Sequence, residues 1–283
     1  MKNIKKGLLT LLLLLISVSF FYGIDLSFKF SGGQNYLRLD TINRTLQDWT
    51  KWQRENAHHN QWDIEGEPKK LHTCLDFVGE IMITLNSHFS VGLGSGIIYG
   101  ELIDKKTEIT VKKEGATEIL AHPTKVNAYP FTFSGYFSLP LGEKFAIYLK
   151  SSIGILLAKY IHWEGMRILP EEEFEFYSSQ IASAEGPLFE GGIGFIAEID
   201  THLRLFIESA ARKARIKGFE RETEEGKKGT LYFLEEHDPE IDFWQAQLQV
   251  LTEKPTGKKF RSVEEAVVDF SGFSVKIGII IKF

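Results

Sequence analysis

From Leu26 onward the chain repeatedly alternates apolar and polar residues, and the purest case is its last stretch, where Phe273, Val275, Ile277, Ile279, Ile281 and Phe283 are separated by Ser274, Lys276, Gly278, Ile280 and Lys282. A period of two marks a strand with two different faces. The same plan opens the chain, with Leu26, Phe28 and Phe30 set between Ser27, Lys29 and Ser31, and Gly32-Gly33 expected to end that strand. Three hairpins repeat it. The first runs from Phe77 to Leu85, turns at Asn86-Ser87 and returns from Phe89 to Tyr99. The second runs from Tyr129 to Leu139, turns over Pro140 to Lys144 and returns from Phe145 to Leu157. The third runs from Phe189 to Ile199, turns at Asp200 to His202 and returns from Leu203 to Ala211.

First strand, three hairpins and last strand give about eight strands. The connections inside the hairpins are short, whereas those between them are long: Gly33–Leu71, Asp104–Val126, His162–Gly186 and Glu220–Glu265. Two of the long ones hold further strand-like runs. Thr107–Val111 and Ala116–Leu120 flank Glu114-Gly115, and Thr230–Leu234 faces Ile241–Val250 across His237–Glu240, so the alternative is about ten strands. In the first long connection Ile42, Leu46, Trp49 and Trp52 recur at helical spacing, with Asp40 or Thr41 placed to cap. A short loop helix follows, on a membrane surface, over a barrel mouth or against other loops.

The charges fall on one face. Lys29, Glu80, Lys150, Glu190, Glu198, Arg204, Glu208, Arg212, Lys276 and Lys282 all sit opposite the apolar positions. A Lys or Arg facing lipid at mid-bilayer costs about 2–4 kcal/mol. If the apolar face meets hydrocarbon, the charged face is a lumen, and its mixed signs imply a network of ion pairs filling it. A barrel of about eight strands is narrow enough to be filled by side chains. The carboxylates Glu80, Glu190, Glu198 and Glu208 then read as salt-bridge partners in preference to paired catalytic acids. Phe89, Phe145 and Phe283 at the turn end, and Tyr99, Tyr129, Tyr160 and Trp163 at the loop end, suit interfacial girdles.

Residues 1–23 have the pattern of a secretory signal, with Lys2, Lys5 and Lys6 before the apolar run Leu8 to Phe21, leaving 24–283 as the mature domain. The net charge of −5 offers no basic footprint for nucleic acid, and Cys74, the only cysteine, excludes an intramolecular disulfide. Export signal, alternation, unequal connections and the terminal Phe283 together resemble the small bacterial outer-membrane barrels of the OmpA/OmpX/OmpW-like type. The resemblance covers nearly the whole mature chain and implies an all-β, transmembrane, antiparallel up-and-down barrel with long extracellular loops and periplasmic termini. It also implies outer-membrane lipid, periplasmic chaperones and the barrel-assembly machinery as partners, the last reading the strand Phe273–Phe283.

Candidate chemistry is sparse. His58, His59, His72 and Cys74 match no zinc spacing, Gly92, Gly94 and Gly96 lack the context of a phosphate loop, and no G-x-S-x-G run occurs. His88, His162, His202 and His237 are scattered over both ends, so no catalytic residue, metal or cofactor is expected. The leading functional expectation is a non-enzymatic envelope protein whose external loops bind an unidentified ligand. The alternatives are a narrow channel for small or apolar solutes, an outer-membrane lipid-modifying enzyme, and a soluble calycin-like binding barrel.

Overall fold

The structure is a computed structural model and describes residues 25–102, 107–169, 175–222 and 228–283; the expected signal segment 1–23 and most of the charge-rich run 220–228 lie outside them. Strands β1 (Asp25–Leu37), β3 (Thr73–Thr84), β4 (Phe89–Leu102), β7 (Thr124–Pro140), β8 (Phe145–Ile168), β9 (Glu175–Glu198), β10 (Leu203–Lys213) and β17 (Gly272–Lys282) are joined neighbour to neighbour by antiparallel pairing, and β17 pairs back onto β1. The sheet therefore closes on itself.

The register shows how steeply the strands lean. A path across the ladder leaves β1 at Ser27 and passes Met82, Gly92, Ser134, Ser152, Glu190, Arg212 and Gly272 before re-entering β1 at Leu37, ten residues further along. Strand stagger and tilt are coupled in a closed sheet, and such an offset goes with a tilt of roughly 35–45°.

The sheet is larger than the expected eight or ten strands, because further strands attach outside the ring. Beyond the ring β8 and β9 stay paired and carry a flap on each side. On β8 hangs β6 (Ala116–Ala121), then β5 (Glu108–Lys113) and β2 (Asp63–Glu65). On β9 hangs β12 (Glu220–Glu222), then β13 (Lys228–Asp238), which pairs with both β14 (Phe243–Leu251) and β15 (Phe260–Glu265). The β13–β14 hairpin is thus not inserted into the wall, as a ten-stranded ring would require. Two short strands, β11 (Arg215–Ile216) and β16 (Val268–Asp269), pair separately.

Three expectations about element ends are corrected. Gly32-Gly33 does not end β1; Gly33 opposes Lys276 where β17 comes so close that a side chain would strike the Val275 carbonyl. The supposed loop His162–Gly186 is mostly strand, because β8 and β9 run on as the stem of the flaps. The helix α1 (Asp40–His59) has neither Asp40 nor Thr41 as its cap: Leu39 holds that place in the left-handed conformation with φ 45°, and Thr41 Oγ1 donates to the Val267 carbonyl at 2.8 Å.

The three short turns that join ring strands lie at one end. Asn86 Oδ1 accepts the amides of His88 and Phe89, each at 2.9 Å. Asp200 Oδ1 likewise accepts those of His202 and Leu203, at 2.7 and 2.8 Å, so both turns are fixed by an Asx side chain. Gly142 supplies φ +100° in the third turn. The long connections lie at the other end, where α1 is enclosed between the flaps. Its stripe of Ile42, Leu46 and Trp49 joins Leu37, Leu71, Leu156, Tyr160, Phe219, Phe233, Leu248 and Phe270 in one apolar core. Asn43 pins the incoming chain, donating to the Leu71 carbonyl at 2.9 Å and accepting the Leu71 amide at 2.7 Å. Tyr160, expected in a girdle, is buried in this core instead.

Candidate functional site

The two faces of the ring differ in kind. Outward, Phe131, Ile193 and Ile277 are 50%, 52% and 65% exposed, and every ring strand contributes such residues. Inward, Lys276, one position from Ile277, is 2% exposed. Alternation along a single strand therefore separates a bare hydrocarbon surface from an enclosed ionic one.

The enclosed charges form one connected set. Lys29 Nζ donates to Glu208 Oε2 at 2.5 Å and to the hydroxyls of Tyr136 and Tyr148 at 3.3 Å, and lies 4.4 Å from the centre of the Phe206 ring. Tyr148 also donates to Glu208 at 2.8 Å, and Tyr136 donates to Glu80 at 2.5 Å. Lys150 bridges Glu190 at 2.9 Å and Glu208 at 3.4 Å. Arg212 joins Glu190 at 2.8 Å to Asp76 at 3.0 Å, and Lys276 reaches Asp76 at 3.2 Å and Glu190 at 3.7 Å. The buried members are Lys29, Lys150, Arg212 and Lys276 against Asp76, Glu80, Glu190 and Glu208, so the formal charges cancel. Arg204 and Glu198, 2.7 Å apart, pair with each other near the short-turn end, where both are partly exposed.

Small residues make the space. Gly194 lies opposite both Tyr148 and Glu208, and a side chain there would overlap the Tyr148 ring. Gly92 stands in the same relation to the Glu80 carboxylate. Asp76 escaped the sequence reading although it is fully buried and accepts from Asn35 at 2.7 Å. The first hairpin is expected to begin at Phe77, four residues after β3 starts at Thr73, yet an inward residue before an outward Phe is the signal that finds Asp76.

Towards the end that carries the long connections the filling changes to the apolar core around α1, and a polar group interrupts it. His122, between β6 and β7, meets His162 and Glu164 of β8, with the two imidazole rings 3.9 Å apart and the Trp49 ring 4.7 Å from His122. Glu164 Oε1 lies 3.8 Å from His122 Nδ1 and 3.6 Å from His162 Nε2. Neither of those buried nitrogens has a hydrogen-bond partner. Burial, reinforced by the neighbouring His162, holds His122 well below the usual histidine range, so it is neutral. The residues weighed as ligands from the sequence are elsewhere: His58 and His59 are exposed at the end of α1, His72 stacks on Tyr36, and Cys74 is buried in the apolar core. The spacing His162-x-Glu164 puts both on one face of a strand, a signal lost when that segment was read as a loop.

Fold and interior together define a closed antiparallel β-barrel with a packed ionic centre and one capped end. No protein-family model and no curated protein matches the chain. Among solved structures it is similar to the outer membrane protein OprG from Pseudomonas aeruginosa, at 11% identity over 92% of this chain and 96% of that one, with a TM-score of 0.41. It is also similar to the outer membrane protease OmpT from Escherichia coli, at 10% identity over 92% and 96% of the two chains, with a TM-score of 0.25. Likenesses this distant assign neither a family nor an activity.

Proposed function

We propose that the chain is an integral outer-membrane protein of the small-barrel type, in which the eight ring strands cross the bilayer. The observation that carries this reading is the exposed apolar belt. It is built by the ring strands, whereas the flap strands β5, β6, β13 and β14 contribute no large exposed apolar side chain. Water-soluble domains rarely leave so wide an apolar surface bare. Among the described residues no helix is long and apolar enough to cross a membrane, so the strands are the spanning elements.

In this reading the short turns and both ends of the sheet face the periplasm, and α1 with the two flaps stands outside the cell. Outer-membrane lipid surrounds the belt, and the barrel-assembly machinery reads Phe273, Val275, Ile277, Ile279, Ile281 and Phe283. The ionic set from Lys29 to Lys276 serves as lumen filling that keeps the barrel closed. The protein is then a non-enzymatic envelope component, and its elaborate outer end is the binding surface.

Two measurements test this. Ile277→Arg places a cation on the belt and should lower folding stability in lipid vesicles by about 2–4 kcal/mol. An effect below about 0.5 kcal/mol would mean that Ile277 meets water. In planar bilayers the protein should give no steady conductance; a stable current altered by Lys150→Ala would establish a channel in place of a closed anchor.

A further inference from the structure

We propose that His122, His162 and Glu164 form a binding site for one divalent transition-metal ion of the zinc class, in the outer end of the barrel beneath α1. The site is composed of two elements that the sheet brings together. Thr124, two residues after His122, is the register partner of His162, and Glu164 follows on the same face of β8. The three potential ligand atoms all lie within 4.8 Å of one another. Zinc bonds to imidazole nitrogen and carboxylate oxygen are about 2.0–2.2 Å long, which sets tetrahedral ligand atoms roughly 3.3–3.5 Å apart. The observed separations of 3.6 and 3.8 Å from the carboxylate oxygen approach that spacing, and small side-chain rotations would close the remainder.

The hydrogen bonding favours the tautomer a metal needs. His162 Nδ1 lies 3.1 Å from the Pro123 carbonyl, a group that only accepts, and 3.3 Å from the Thr124 hydroxyl, an arrangement that suits the tautomer with its proton on Nδ1 and Nε2 free to bind. Orientation of a ligating imidazole by a backbone carbonyl is the usual outer support of such sites. Nε2 of His162 and Nδ1 of His122 are both buried without a hydrogen-bond partner, and both lie beside the carboxylate. A buried pair of histidines aimed at a carboxylate, with those nitrogens unsatisfied, is explained by an ion between them. Two imidazoles and one carboxylate are a zinc donor set that leaves a fourth position for water or an external donor. Glu164, with a third of its side chain exposed, is the member that solvent reaches.

The test uses the full chain, folded in detergent, stripped with a chelator and titrated with Zn²⁺ by calorimetry. One equivalent should bind, and His162→Ala and Glu164→Gln should each weaken binding at least tenfold. Co²⁺ in its place should give the intense visible bands of four-coordinate cobalt, lost in both variants. The heat-dependent shift in gel mobility of folded barrels checks that the variants fold; Glu164→Gln, at the partly exposed member, decides the matter if His162→Ala does not fold. Absence of binding to the folded chain, or binding that survives in a folded variant, would overturn the proposal. So would binding abolished by replacing the exposed pair His58 and His59.

Discussion

Two enclosed volumes lie along the axis of this barrel, and they are filled by opposite chemistry. The middle holds Lys29, Lys150, Arg212 and Lys276 matched against Asp76, Glu80, Glu190 and Glu208, with tyrosine hydroxyls between them. The end that carries α1 holds Leu46, Trp49, Leu156, Phe219, Phe233 and Phe270 in hydrocarbon packing. The reason lies in what surrounds each. Around the middle the apolar residues of every strand are committed outward, so alternation leaves only polar positions to fill the inside. At the other end the flaps wrap α1, apolar side chains can turn inward, and Arg44 of the helix closes on Glu235 of the flap, which Arg261 of the same flap also holds. The contrast teaches that a barrel's interior chemistry is decided by its exterior neighbour.

The largest break in that contrast should come from Arg212→Ala. It leaves Asp76 and Glu190 with Lys276 as their one common partner and the buried set one cation short, and the cost should be about 3–5 kcal/mol in urea unfolding. Leu46→Ala attacks the other volume, and a buried leucine lost from a core costs about 2–3 kcal/mol at the lower end of its range. Its signature should be local: faster proteolysis of α1 and the flaps while the ring stays folded. The smallest effect sharpens the comparison. Replacing Lys29 by Met and Glu208 by Leu together should cost less than Glu208→Leu alone, by about 1–3 kcal/mol, because the single change strands Lys29. If the double variant costs the sum of the two single variants, Lys29→Met and Glu208→Leu, the pair is not coupled and the middle is held by packing alone.

Much of the wall was legible, since period-two alternation names the strand, its bare face and its charged face at once. Ile277 and Lys276 illustrate this: neighbours in sequence, they are opposite in exposure. The parts that were missed share a cause. On β8 beyond Leu157 the outward residue is Lys159 and the inward ones are Ala158, Tyr160 and His162, so the apolar-outward signature stops although the strand does not. Asp76 and Asn35 were lost in the same way, one beyond an assumed strand start and the other beyond a glycine pair that reads as a turn. The His122–His162–Glu164 group depends on pairing between distant segments, and the His162-x-Glu164 spacing is its one local trace.

The seam of the ring carries a kinetic consequence. Ser27 to Leu37 must find Gly272 to Lys282, partners separated by almost the entire polypeptide. Until they meet, β1 and β17 each present an open row of amides and carbonyls to any other strand, and contacts so remote in sequence form slowly. The molecule is therefore open to mispairing at these two edges for as long as the ring remains unclosed.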